Sequence, residues 1–265
     1  MVVSRPSENS RRGHKTMPFA NNQGVRIYYE TVGRGPALVL HHATFGSSAG
    51  WADLGYVDAL KEDHQLILLD ARGHGESDKP HDPAAYDVAY RISDVQAVLD
   101  DLNIREADYF GYSLGGWTGF WLAKYAPHRF SSFIFGGAHP YAENMQPFRD
   151  LMPSSADAFA TMVDQIFGSR LTPASRSRLL ANDLDALRAL TQDRVSNADV
   201  LPTITAPCLL FVGERDPRLA QVKKCASELP TATFLTLPEC DHVGALARSD
   251  LVIPQIKAFL SKLDR

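Results

Sequence analysis

Residues 107–125 read ADYFGYSLGGWTGFWLAKY, and this stretch decides the fold. It begins with a short apolar run and ends in a segment that is apolar nearly all round, which predicts a strand followed by a buried helix. Between the two, residues 111–115 read GYSLG and match the pattern G-x-S-x-G. In a tight strand-to-helix turn this pattern raises a serine hydroxyl above the edge of a sheet, with the helix N-terminus behind it. Ser113 is therefore the candidate nucleophile.

Outward from this turn, the chain alternates between short apolar runs and helical patterns. Residues 25–31 alternate in a way that predicts an early antiparallel strand, and residues 92–102 and 251–263 carry apolar residues at helical spacing. Continuous apolar runs, typical of strands buried on both faces, occupy residues 37–40, 66–69, 133–135, 208–212 and 234–237. We predict an α/β fold with a mostly parallel twisted sheet and helices on both faces.

Residues 141–201 break this alternation because they contain helix patterns and no convincing strand. One apolar stripe at helical spacing consists of Phe159, Met162, Val163, Ile166 and Phe167. Ser154 or Ser155 can cap that helix, and Pro173 suits the first position of another. We expect a small helical cap over the end of the sheet, with ordinary crossover helices as the alternative.

This interpretation divides the chain into three parts. Residues 1–16 are polar and basic and form a predicted disordered tail, while residues 17–140 and 202–265 form the core domain. Residues 141–201 form the cap insertion. Five apolar residues are candidates to line a pocket beneath the cap, with packing of the cap helices as the alternative: Phe45, Met145, Phe148, Met162 and Phe167.

A serine hydroxyl needs a base and an orienting acid before it can attack a carbonyl. In this architecture they follow in the order serine, acid, histidine, at the carboxyl ends of strands. Asp216 follows the strongest apolar run and His242 follows the last one. Glu214 is the alternative acid, and Asp241 is interpreted as a turn residue. The predicted triad is Ser113, Asp216 and His242.

Two further segments carry a family resemblance. Residues 41–46 read HHATFG and resemble an oxyanion loop, and residues 70–77 read DARGHGES and resemble the turn D-x-R-G-x-G-x-S. With the elbow and the triad order, the chain resembles the α/β-hydrolase superfamily over residues 18–263. The resemblance implies an oxyanion hole made by the backbone N–H groups of Thr44 and Leu114. Ala43 stands where the family usually has glycine.

The same resemblance implies a serine hydrolase that acts through an acyl-enzyme at Ser113, with no cofactor or metal. The short, apolar cap favours small, largely apolar carboxylic esters as its substrates. Hydrolysis of lactones, hydrolysis of C–C bonds and cofactor-free perhydrolysis remain open on the same triad. A slow-turnover small-molecule receptor of the same fold is the alternative from another class. The expected partner is a small-molecule ester or lactone, and the oligomeric state stays open.

Composition excludes other classes. The 265 residues include 31 acidic and 27 basic ones, which gives a net charge of −4 and no basic footprint for nucleic acid. No apolar run approaches the 18 residues that suggest a membrane span. The three cysteines lack C-x-x-C spacing, so we expect neither a disulfide framework nor a zinc site, and a cytoplasmic location.

Overall fold

The computed structural model describes residues 18–153 and 155–263. The predicted tail, residues 1–16, lies outside the described residues. Eight strands form one sheet: β1 (Phe19–Asn22), β2 (Val25–Val32), β3 (Ala37–His41), β4 (Gln65–Leu69), β5 (Ala107–Tyr112), β6 (Phe130–Gly136), β7 (Cys208–Gly213) and β8 (Ala232–Leu237).

The sheet has the strand order β1-β2-β4-β3-β5-β6-β7-β8. The pairs β1–β2 and β2–β4 are antiparallel, and every pair from β4 to β8 is parallel. The predicted α/β class with a mostly parallel sheet is confirmed. β5 lies in the middle of the sheet, so the turn after it opens at the centre of the carboxyl edge.

Eleven α-helices occur among the described residues: α1 (Ser48–Asp53), α2 (Tyr56–Leu60), α3 (Val88–Asp101), α4 (Leu114–Tyr125), α5 (Gln146–Leu151), α6 (Ala156–Phe167), α7 (Pro173–Leu180), α8 (Leu184–Leu190), α9 (Leu219–Glu228), α10 (His242–Ala247) and α11 (Ser249–Leu260). Successive residues of β3 pack in two different apolar clusters. Val39 packs in a cluster with α3, α4 and α9, whereas Leu38 and Leu40 pack in a cluster with α1, α2 and α11. Helices therefore cover both faces of the sheet. None of the helices in the described part of the chain has the length and hydropathy that crossing a membrane requires.

Two strands differ from the prediction. β1 was not predicted, because it has only four residues and two of them are asparagines. Asn22 is nevertheless buried, and its Nδ2 donates to Asp94 Oδ1 at 2.7 Å. β8 was predicted as buried on both faces, but it forms the edge of the sheet and is mostly half-buried.

Between β6 and β7 lie the four helices α5 to α8. Ser155 caps α6 by accepting a hydrogen bond from the backbone N–H of Ala158, and Thr172 caps α7. Ser154 lies outside the described residues. The apolar side chains of these helices form a cluster with Phe45 and Tyr86 of the remaining chain. The boundaries at residues 141 and 201, and the separation into core and cap, stay predictions.

Candidate active site

The turn between β5 and α4 holds Ser113 in a conformation that L-residues rarely adopt, with φ 52° and ψ −104°. Its flanking glycines explain how the chain can turn so tightly. A Cβ on Gly111 would lie 2.3 Å from the backbone of Gly115, and a Cβ on Gly115 would lie 2.1 Å from the carbonyl oxygen of His41. The Ser113 N–H donates to the carbonyl of Gly136 at 2.8 Å. The pattern G-x-S-x-G is thus required by close backbone approach.

The structure brings Ser113, His242 and Asp216 together. His242 Nε2 lies 3.0 Å from Ser113 Oγ, and His242 Nδ1 lies 2.6 Å from Asp216 Oδ2. These distances suit a histidine with its proton on Nδ1, which donates to the carboxylate and leaves Nε2 to accept from the serine hydroxyl. The three residues follow β5, β8 and β7, all at the carboxyl edge of the sheet.

The acid of this group is buried and ionised. Asp216 is 3% exposed, and its Oδ1 accepts a hydrogen bond from the backbone N–H of Arg218 at 2.9 Å. Burial alone would raise the pKa of Asp216, but the hydrogen bond from His242, its charge and the Arg218 contacts together hold that pKa below its ordinary value. A carboxylate of this kind can orient the imidazole and stabilise an imidazolium.

The two other acids near the triad have different surroundings. Glu214 is exposed, and its Oε2 accepts from the backbone N–H of Glu239 at 3.0 Å. Asp241 caps α10 by accepting from the N–H of Gly244, and it also forms a bidentate ion pair with Arg170. Neither carboxylate is hydrogen-bonded to the imidazole of His242, so the contacts favour Asp216 over Glu214.

Tyr112 contacts the candidate base and was missed by the sequence analysis. Its hydroxyl donates to the backbone carbonyl of His242 at 2.5 Å, and the two rings lie 5.4 Å apart. Because Tyr112 fills a variable position of the motif, no sequence signal marked it. It fixes the backbone of His242 relative to the elbow.

The loop after β3 is held from two sides. His42 Nδ1 lies 2.8 Å from the carbonyl of Ala43, and His42 Nε2 lies 3.0 Å from the backbone N of Ala71. Burial lowers the pKa of His42, which keeps it neutral with one donor and one acceptor. From the helices between β6 and β7, Asn182 Nδ2 donates to the carbonyl of Phe45 at 2.9 Å. Ala43, in the place of the usual glycine, is compatible with this loop.

Thr44 and Leu114, the two residues predicted to form the oxyanion hole, line the same small cavity of about 40 Å³. The N–H of Leu114 belongs to the first turn of α4, where backbone N–H groups lack intrahelical acceptors. The cavity is lined by Thr44, Tyr86, Arg91, Leu114, Trp117, Met145, Phe148, Leu190, Thr191, Gln192, Asp193 and Arg194.

This lining differs from the apolar pocket expected from the sequence. Met145 and Phe148 line the cavity as predicted, whereas the other three residues, Phe45, Met162 and Phe167, belong to the apolar cluster of helices α6 to α8. The main difference is that two buried arginines, Arg91 and Arg194, are part of the wall. An arginine within an amphipathic pattern is usually solvated, so nothing in the sequence marked these two as buried.

Among the described residues, no group of three or more histidine, cysteine, aspartate or glutamate side chains is placed to hold a metal ion. The three cysteines are buried and free.

Comparisons with known proteins identify the family and agree with the fold. The family described as alpha/beta hydrolase fold matches residues 36–197. The chain is 25% identical to a putative 2-succinyl-6-hydroxy-2,4-cyclohexadiene-1-carboxylate synthase of Bacillus subtilis, over 94% of this chain and 99% of that protein. It is 30% identical to the pimeloyl-[acyl-carrier protein] methyl ester esterase of Vibrio campbellii, over 89% of this chain and 98% of the esterase. The crystal structure of the enol-lactonase from Burkholderia xenovorans LB400 is similar with a TM-score of 0.82, at 23% identity, and covers 92% of this chain and 100% of the lactonase.

Proposed function

Since the chain belongs to the α/β-hydrolase family, we propose that it is a serine hydrolase that cleaves small carboxylic esters through an acyl-enzyme at Ser113. One observation carries the proposal. Ser113 Oγ, His242 and Asp216 form an unbroken hydrogen-bonded chain, with distances of 3.0 Å and 2.6 Å. An unactivated serine hydroxyl is a poor nucleophile, and this chain supplies the base and the acid that activate it.

In the first half of the proposed reaction, Ser113 Oγ attacks the ester carbonyl while its proton passes to His242 Nε2. The negative charge on the carbonyl oxygen is stabilised by the backbone N–H groups of Thr44 and Leu114, each worth about 3–4 kcal/mol in comparable sites. His242 then gives its proton to the leaving alcohol, and the acyl group stays on Ser113.

In the second half, a water molecule gives a proton to His242 Nε2 and attacks the acyl carbonyl. The carboxylic acid leaves when His242 returns the proton to Ser113 Oγ, which restores the starting state. Asp216 remains ionised throughout, in keeping with its lowered pKa. A lactone is an ester within a ring, so the same steps apply to it.

One comparison and the size of the cavity support a small ester. The relative from Vibrio campbellii is a methyl ester esterase and aligns with 89% of this chain. The small cavity of about 40 Å³ beside Leu114 also favours a compact group over a long lipid. Cleavage of a C–C bond or perhydrolysis by the same triad is tested by the choice of substrates below.

The test uses wild type and Ser113→Ala with p-nitrophenyl esters, lactones and a diketone. We expect wild type to turn over esters above about 1 s⁻¹ and to be labelled by a fluorophosphonate. Ser113→Ala should lose the label and lower kcat by about three to six orders of magnitude, with an unchanged melting temperature. Labelling that survives in Ser113→Ala would assign the nucleophile elsewhere. Negligible turnover of all substrates, with ligand-dependent capture of a partner protein, would favour a receptor instead.

A further inference from the structure

The wall of the cavity beside the triad contains two buried positive charges. Arg91 is 6% exposed and Arg194 is 9% exposed, and both line the cavity together with Thr44 and Leu114. Arginine is almost never buried to this extent without a compensating anion, because removing a charge from water is costly. The compensation for these two charges is incomplete within the protein.

Arg91 forms no ion pair with the acids of the described residues. Its Nε donates to the carbonyl of Tyr86 and its Nη2 donates to the carbonyl of Leu190, both at 2.8 Å. These acceptors are neutral, so they orient the guanidinium without an ion pair, and the charge of Asp94 offsets only part of the effect of burial on the pKa of Arg91. Among residues 18–153 and 155–263, no carboxylate lies within ion-pair distance of Arg91. The nearest acid along α3, Asp94, is occupied by a buried bidentate ion pair with Arg72.

Arg194 shares its acid with another arginine. Its Nη1 donates to Glu143 Oε2 at 2.9 Å, and Arg218 Nη2 donates to Glu143 Oε1 at 2.6 Å. Burial would raise the pKa of Glu143, but the two arginines hold it below its ordinary value, so the carboxylate is ionised. The guanidinium groups of Arg194 and Arg218 thus share one carboxylate.

The two cavity arginines lie close to each other and to the elbow. Their Cζ atoms are 5.8 Å and 5.2 Å from the ring centroid of Trp117. The backbone N–H of Trp117 donates to the carbonyl of Ser113, so this ring is one helical turn from the nucleophile. Burial lowers the pKa of both to about 10, helped by the charge of Arg194 at Arg91 and by the charge of Arg218 at Arg194, and both remain charged at neutral pH.

The acidic residue in the same lining does not neutralise the pair. Asp193 has a side chain that is 61% exposed, and it forms an ion pair with Arg149 at 2.9 Å. It also accepts a hydrogen bond from the backbone N–H of Met145. Asp193 therefore lies at the rim in water, where it is screened from the buried charges.

We propose that Arg91 and Arg194 bind a carboxylate carried by the substrate, close to the carbonyl that Ser113 attacks. A carboxylate matches the planar, charged donors of arginine and supplies the missing anion. The small volume of the cavity favours a short spacer between the two groups. The substrates are then monoesters of short dicarboxylic acids, or lactones that bear a carboxylate. This inference rests on the proposed ester hydrolysis and replaces the largely apolar substrate expected from the sequence.

The test compares two esters of matched shape, the mono-p-nitrophenyl ester of glutaric acid and p-nitrophenyl pentanoate. We expect wild type to favour the charged ester in kcat/KM by about 10- to 100-fold, which is the range for hydrogen bonds to a charged group. Arg194→Gln should lower kcat/KM for the charged ester about tenfold more than kcat/KM for the pentanoate, which removes most of this preference. Arg91→Lys, which keeps the charge, should retain part of it. Arg176→Gln removes an exposed charge far from the cavity and should behave like wild type.

A binding measurement separates this inference from the proposed function. Ser113→Ala should bind monomethyl glutarate in calorimetry and bind methyl pentanoate much more weakly, and Arg194→Gln should abolish the difference. If both esters are hydrolysed at equal rates and the Ser113→Ala variant binds neither ligand preferentially, the carboxylate site is wrong and the hydrolase stands. If neither ester is hydrolysed and the anion still binds, the site stands and the ester reaction is wrong. If Arg194→Gln fails to fold, the preference of Ser113→Ala for monomethyl glutarate over methyl pentanoate still tests the carboxylate site.

Discussion

The two walls of the candidate site are built in different ways. In the sheet wall, Ser113, Asp216 and His242 each lie within a few residues of the end of a strand. In the helical wall, which consists of the segment between β6 and β7, position depends on contacts between distant parts of the chain. Asn182, for example, binds the carbonyl of Phe45, 137 residues away. We infer that the sheet wall performs chemistry common to all substrates, whereas the helical wall selects among them.

The largest expected effect is in the sheet wall. Asp216→Asn should lower kcat by about 10⁴-fold on every ester, because an amide donates to His242 Nδ1 and imposes the wrong tautomer. The matched variant is Glu214→Gln, whose acid is exposed and bonded only to a backbone N–H. Its kcat should stay within a few-fold of wild type. The measurement is kcat of both variants on three esters, together with their melting temperatures. A larger loss in Glu214→Gln than in Asp216→Asn would exchange the roles of the two acids.

The second effect tests the helical wall. Met145→Ala and Phe148→Ala should change the ratio of kcat/KM between short and long esters, since both side chains line the cavity. The expected change corresponds to about 1–3 kcal/mol of transition-state binding free energy. Met162 packs in the neighbouring apolar cluster and does not line the cavity, so Met162→Ala is the control. Met162→Ala should lower the melting temperature and change kcat/KM by the same factor for all esters. Equal losses in Met145→Ala and Phe148→Ala that follow melting temperature would mean that these residues only support the fold.

Acid should have opposite effects on stability through two histidines, His139 and His81. His139 lies after β6, and burial lowers its pKa to about 4, so the unfolded chain binds an extra proton between pH 6.5 and 4. Its contribution to stability is complete above about pH 6.5 and is lost as the pH falls, with a slope approaching about 1.4 kcal/mol per pH unit. Denaturant unfolding between pH 7 and 4.5 should show a shallower loss in His139→Gln.

The contribution of His81 to stability changes with pH in the opposite direction, because the hydrogen bond and charge of Asp183 raise the pKa of His81. This contribution is present below the unfolded pKa and is lost as the pH rises. His81→Gln should therefore make the acid-induced loss of stability slightly steeper. An unchanged loss in both variants would show that the slope comes from other groups.

The smallest effect concerns the link between the walls. Arg170 binds Asp241, which adjoins His242, through two contacts at 3.2 Å and 2.9 Å. Both side chains are nearly half exposed, so Arg170→Gln should cost about 0.2–1 kcal/mol of unfolding free energy, less at high salt. Arg176→Gln removes a similar exposed pair with Asp164 inside the helical segment. A change in kcat confined to Arg170→Gln would show that the link positions the triad, and identical behaviour of the two variants would limit it to stability.

The sheet was predictable because its central strands are buried on both faces and read as continuous apolar runs. β1 could not be predicted because Asn21 and Asn22 are typical of loops, and the burial of Asn22 depends on Asp94, which is 72 residues away. β8 shows the opposite case. Its apolar run predicts two buried faces, but its position at the edge of the sheet depends on the order of all other strands.

The same contrast applies to the site. The triad could be predicted because chain order and strand ends define it, and the structure brings those three residues together. Tyr112 and Arg194 could not be predicted, since one fills a variable position and the other lies in a connection without a local pattern. Their roles depend on which residues the fold places beside them. The catalytic role of the triad stays a proposal until the variants are measured.

The backbone of Ser113 has a consequence for laboratory evolution. A serine with a φ of 52° and a ψ of −104° holds a conformation that costs about 1–3 kcal/mol, which a glycine would not incur. A library of variants sorted only for heat resistance should therefore enrich glycine at position 113 and discard the nucleophile. Sorting for turnover would enrich serine at the same position. Selection for a more stable variant must therefore also screen for turnover, because glycine at position 113 should raise stability and abolish activity.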